Sequence, residues 1–152
     1  METLARILLE HPFFQDFPKE HIELITGCAS NRRFDAGQFI FREGEEASNF
    51  YLIREGRVAL QTVSERRGAL TILTLGASEI LGCSWLFPPY RWKFSARTLE
   101  PTRVLAFDGQ CLRGKAEADH DLGYELLKRF ACVMAGRLEA TRLQLVNVYQ
   151  DR

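Results

Sequence analysis

Four cysteines and three histidines are the residues of this 152-residue chain best equipped for metal, redox or nucleophilic chemistry, and their spacing argues against all three. Cys28, Cys83, Cys111 and Cys132 lie far apart, with no C-x-x-C pair to start a zinc or iron–sulfur site. They read as buried, reduced, small apolar residues. His11, His21 and His120 are equally dispersed, and no strand segment carries one. No nucleophile–base pair or carboxylate dyad stands out, so no enzyme is expected. What remains is binding chemistry. Strand alternation over residues 93–98 puts Lys93, Ser95 and Arg97 on one face and Phe94, Ala96 and Thr98 on the other. Just before them, S-W-L-F-P-P-Y-R-W (residues 84–92) is a stiff loop with four aromatic rings. Such rings stack on a flat ligand, fill a pocket, or offer a patch to a protein partner.

The elements that must position these groups are mainly β. Apolar runs at Phe39–Phe41 and Phe50–Ile53 alternate with turns at Ala36-Gly37, Glu43-Gly44 and Glu55-Gly56. Further strand candidates are Arg57–Val63, Leu70–Leu75, Lys93–Thr98 and Arg103–Asp108, with a polar hairpin tip at residues 64–69. Repeated strand–turn units of this kind build an antiparallel roll, and 46% apolar residues with 11 Phe can fill it. In front, a helix from Glu2 to about Leu9 runs into Pro12, and Pro18 suits the first turn of a second short helix with Ile22, Leu24 and Ile25.

A long helix is expected from Asp119, as cap, to about Tyr149. Tyr124, Ala131, Leu138 and Leu145 form one seam position of a heptad, and Leu127, Met134, Thr141 and Val148 the other. Leu122, Leu126, Phe130 and Val133 mark a neighbouring face in the first half only. The first half should therefore lie on the roll while the seam meets a second copy of the chain. Residues 1–30, 31–110 and 111–152 divide as helical entry, roll and dimerisation region.

The stretch F-D-A-G-Q-F-I-F-R-E-G-E-E-A-S-N-F-Y-L-I-R-E-G-R-V (residues 34–58) closely resembles the front half of the cyclic-nucleotide-binding domain, a β-roll with a C-terminal helix. The resemblance implies a phosphate-binding cassette that opens with a Gly-Glu pair on a short turn and closes with Arg followed by Ser/Thr-Ala. The Glu takes the ribose 2′-hydroxyl, and the Arg and backbone N–H groups hold the cyclic phosphate. A buried anion needs charge-assisted donors, and a guanidinium serves two oxygens at once. On this resemblance Glu79 and Gly82 take the acid and following glycine places, Ser78 replaces the usual Gly, and Ser95-Ala96 closes the cassette. Phe94 stands where the Arg would be, leaving Lys93 and Arg91 as substitute cations. Thr141 takes the place of a base-contacting hydroxyl; the alternative is a bond to its own i−4 carbonyl. The residue 84–92 loop is similar to stretches in single-domain bacterial members.

The expectation is a cytoplasmic regulatory sensor that binds a cyclic nucleotide (cyclic AMP or cyclic GMP) or a related anion inside the roll, without metal, and signals through a helix-mediated homodimer. The alternative is a non-binding member acting as a dimeric scaffold. Twenty basic and twenty acidic residues, and a pI of about 6.8, do not suit a polyanionic partner. No helix-turn-helix follows the long helix up to Arg152, so DNA binding by this chain is not expected. Nor does an apolar run suited to a membrane span occur.

Overall fold

Short apolar runs separated by glycine turns give eight strands: β1 (Ala29–Phe34), β2 (Phe39–Phe41), β3 (Asn49–Glu55), β4 (Val58–Ser64), β5 (Gly68–Leu75), β6 (Ile80–Leu81), β7 (Ser95–Thr98) and β8 (Thr102–Asp108). The helices are α1 (Leu4–Leu9), α2 (Lys19–Thr26), α3 (Gly109–Ala118) and α4 (His120–Gln150). This computed structural model describes residues 4–150, so Glu2, the expected first helical residue, lies outside the described part. Two antiparallel four-stranded sheets, ordered β1-β8-β3-β6 and β2-β7-β4-β5, face each other as a roll. Gly37, Gly44 and Gly56 all take positive φ at the expected turns. At Gly56 the need is steric as well, because a Cβ would stand 2.4 Å from the Thr102 hydroxyl.

Several elements differ from the sequence expectation. β1 is a polar strand, A-S-N-R-R-F, exposed along most of its length, and its full register with β8 rather than any apolar pattern makes it a strand. The strand expected from Lys93 begins at Ser95, although its alternation persists, with Lys93 and Arg97 exposed and Ala96 and Thr98 buried. Pro18 stands at the N-cap of α2, one place before the helix, and Pro12 opens a 3₁₀ turn, Pro12–Phe14, rather than ending α1. α3 follows β8 directly, capped by Asp108. The reading of all four cysteines as reduced is also corrected: Cys28 and Cys111 form a disulfide, with Cα atoms 5.9 Å apart. The start of β1 and the first turn of α3 bring together residues 83 positions apart, which no local spacing reveals.

Two apolar cores result. One lies between the β1-β8-β3-β6 sheet and the helices, where Phe50 stacks on Phe107 at 4.4 Å and meets the Phe130 edge at 5.0 Å. Leu122, Leu126 and Phe130 bury the first half of α4 there, as their spacing predicts, and each contributes about 1.5–3 kcal/mol by leaving water. Asp119 accepts the Leu122 N–H and caps this helix. The second core fills the roll itself and is described with the site. Beyond residue 140 every described α4 residue is exposed, including Leu143, Leu145, Val146, Val148 and Tyr149.

Candidate functional site

The roll interior is closed by its own side chains. Trp92, 3% exposed, stacks on Phe41 with ring centroids 3.6 Å apart, and Tyr51, Leu81, Ala96 and Val104 pack around the pair. Gly82 takes φ +98°, and a Cβ there would meet the Trp92 ring at 2.5 Å, so glycine lets the indole lie flat against the backbone. Backbone bonds from Gly44 N–H to Trp92 O and from Trp92 N–H to Glu45 O hold it in place. The expected hollow inside the roll is therefore corrected to a packed core. Neither Trp85 nor Phe94 is the plug. Trp85 lies in the helix-side core against Phe50, and Phe94 packs at the edge, 5.9 Å from Phe41.

Open space lies instead between the roll and α4. A cleft of about 730 Å³ is lined on the roll side by Leu73, Thr74, Leu75, Ser78, Glu79 and Ile80. Its other walls are Pro12 and Phe13 and one stripe of α4, including Val133, Gly136, Arg137 and Ala140. The turn carrying Ser78 and Glu79 is built to stand still: Ser78 N–H bonds Ile53 O at 2.8 Å, and Glu79 Oε2 accepts Gly76 N–H at 2.6 Å. Ser78 sits at φ +77°, in the left-handed region where a side chain costs about 1 kcal/mol.

Arg137 reaches across the cleft and donates to the Ile80 carbonyl. Burial pulls its guanidinium below the ordinary value, opposed first by the Glu79 carboxylate and then by Cys83. The neighbouring Cys83 thiol is pushed up by burial, with Arg137 opposing. Lys128 and Arg129, also on the cleft wall, share Glu125 at 3.5 Å each, and Arg129 further bonds Phe13 O and lies over the Phe17 ring. Among the described residues no cluster suited to a metal ion occurs.

The expected ligand holders are not brought into one place. Ser78 and Glu79 line the cleft, whereas Gly82 lies beneath Trp92. Arg91 is exposed, donating to Gly44 O, and Lys93 is exposed as well. Ser95 accepts Glu43 N–H on a separate surface depression that it lines with Phe39 and Gln61. The Thr141 hydroxyl donates to Arg137 O, four residues back. Gly82, at φ +98°, is followed by Cys83 and the 3₁₀ turn Ser84–Leu86.

Two residues escaped the sequence reading. Trp92 could not be told from its three aromatic neighbours in the loop. Arg137 left a usable signal: it is the next step of the stripe Leu122, Leu126, Phe130, Val133, and so a charge on the face that covers the roll.

A sequence profile of the cyclic nucleotide-binding domain matches residues 31–119. The anaerobic regulatory protein of Bacillus subtilis (strain 168) is 27% identical over 107 residues, covering 70% of this chain and 45% of that protein. Human cGMP-dependent protein kinase 2 is 27% identical over 82 residues, which is 53% of this chain and 11% of the kinase. The chain thus spans less than half the length of these curated relatives. A crystal structure from Geobacter metallireducens GS-15, of a protein named for cyclic nucleotide binding, superposes with a TM-score of 0.80 at 30% identity, covering 91% of this chain and 99% of that one. A cyclic nucleotide-binding domain from Methylobacillus flagellatus KT shares the fold at TM-score 0.80 and 19% identity, covering 95% and 82%.

Proposed function

The chain belongs to the cyclic nucleotide-binding domain family, a regulatory sensor-type family, and from that premise we propose that it senses a small anionic ligand in the cleft between roll and α4. Arg137 is the cation that holds the ligand, Ser78 and Glu79 form the polar rim, and Gly82 serves Trp92 instead of a ligand. The observation that carries this reading is the cleft itself, because 730 Å³ lies within the ~300–1,000 Å³ typical of small-molecule sites and a half-buried guanidinium faces it. Occupancy is passed to a second copy through the exposed seam of α4, where Leu138 is 66% exposed. The role is regulatory and not enzymatic. We further propose that this role is played in the cytoplasm. Among the described residues no helix is long and apolar enough to cross a membrane.

Gly136→Trp tests the cleft. Gly136 lines the cleft and a Cβ there meets nothing within 4 Å, so an indole at this position should occupy the cleft. Anilinonaphthalene sulfonate, an apolar anionic dye, should brighten with the wild-type protein and lose at least ~90% of that signal with the variant. Equal brightening of both proteins would remove the cleft from the argument. For the dimer, Leu138→Glu should give monomers in sedimentation velocity, and an unchanged dimer would refute the seam.

The second reading, a ligand-free dimeric scaffold, is favoured by one observation: the roll interior is full. A protein that binds no dye yet dimerises through α4 would be that scaffold.

A further inference from the structure

The walls of the cleft say which ligand fits, and this step rests on the cleft being the binding site. Three cations border it, Lys128, Arg129 and Arg137, against two carboxylates, Glu79 and Glu125, leaving one positive charge in excess. Lys128 and Arg129 are already engaged with Glu125. Among the described residues Arg137 has no carboxylate in ion-pairing contact, and its one hydrogen bond goes to the Ile80 carbonyl. A guanidinium carries five N–H donors in a planar fork, so most of this one is left to meet a planar, two-oxygen acceptor. The remaining surface is largely hydrocarbon: Phe13, Leu73, Leu75, Ile80, Val133 and Ala140.

A nucleotide is poorly served here. Its ribose hydroxyls need acceptors, yet Glu79, the one carboxylate among the cleft-lining residues, already spends one oxygen on Gly76 N–H. Its base would bury ring nitrogens against Leu73, Leu75 and Val133 without partners. A hydrocarbon or arene body loses nothing on these walls. We infer that the cleft takes an apolar monocarboxylic acid, its carboxylate on the Arg137 fork and its hydrophobic body between β5 and α4. The same α4 stripe holds Cys132, an exposed free thiol on the cleft wall that serves as a footprint.

The test uses the whole chain and 2-naphthoate, with the neutral twin 2-naphthamide and with cyclic AMP and cyclic GMP. Naphthoate should displace the bound dye and slow iodoacetamide labelling of Cys132. Naphthamide should be about tenfold weaker, the loss of one charge-assisted pair. Arg137→Gln should weaken naphthoate about tenfold more than naphthamide, bringing their ratio toward one, a readout that general destabilisation would not give. If Arg137→Gln does not fold, the naphthoate/naphthamide ratio on the wild-type protein still decides. Displacement by cyclic AMP or cyclic GMP at lower concentration than naphthoate would overturn the carboxylate assignment while the cleft stands. Equal potency of acid and amide would overturn it too. If neither the dye nor any of the four compounds binds and Cys132 labels at one rate throughout, the cleft reading itself falls.

Discussion

The interior of the roll and the cleft beneath α4 are neighbours walled by the same strands, and the chain has treated them in opposite ways. The first is sealed by Trp92 on Phe41; the second is left open beside a half-buried arginine. β5 shows the division most simply, since Leu75 contributes to the roll core and also borders the cleft. Filling the first space yields dispersion and apolar burial, which serve stability alone. Keeping Arg137 in the second costs desolvation, which pulls its guanidinium below the ordinary value against the opposing Glu79 carboxylate.

The sharpest way to break this contrast is Trp92→Ala. Truncating a buried, ring-stacked tryptophan should lower stability by about 3–5 kcal/mol in urea unfolding. Free indole at millimolar concentration should restore part of the loss, because the vacated space is apolar. A change below ~1 kcal/mol would refute a load-carrying roll interior.

A smaller effect belongs to His11, which packs at the back of the Ser78 turn with its Nδ1 accepting Phe13 N–H. Burial lowers its proton affinity below the usual value of 6.5, and the Ser78 backbone opposes this less strongly. The unfolded chain then binds the proton more readily than the folded one. The stability carried by neutral His11 is complete above 6.5 and is lost as pH falls from there through the lower folded value. The melting temperature should therefore fall between about pH 7 and pH 5 more steeply in wild type than in His11→Phe, and parallel curves would refute the assignment.

The smallest effect is at Ser78. Ser78→Gly relieves a left-handed side chain worth about 1 kcal/mol and returns part of that as backbone entropy, leaving a gain of ~0.5 kcal/mol. A loss on thermal unfolding would show that the Ser78 side chain, not its backbone, fixes the cleft rim.

The fold was legible in the sequence wherever periodicity and glycine did the specifying. The strand–turn alternation of residues 34–58 and the Leu122–Phe130 stripe each translated directly into structure. β1 was not, because a strand exposed along most of its length needs no apolar alternation, and its identity comes from β8. The two-residue β6 is too short to show any period. The disulfide escaped because it depends on tertiary closure between β1 and α3. For the candidate site, sequence reasoning named Ser78 and Glu79, which line the cleft, but looked for cations along the strand at Lys93, whereas the cations bordering the cleft lie on α4. Placing Arg137 needed only the helical face already traced by Val133.

Gly136, in the middle of α4, precedes Arg137 directly. Glycine is the least rigid link a helix can contain, by about 1 kcal/mol relative to alanine. Apart from Gly123 in its first turn, α4 is thus intrinsically weakest at the rung adjoining its guanidinium, and a guest held there would pull, at that pivot, on the exposed distal segment. Gly136→Ala would stiffen that pivot while leaving room for the guest, uncoupling capture from leverage.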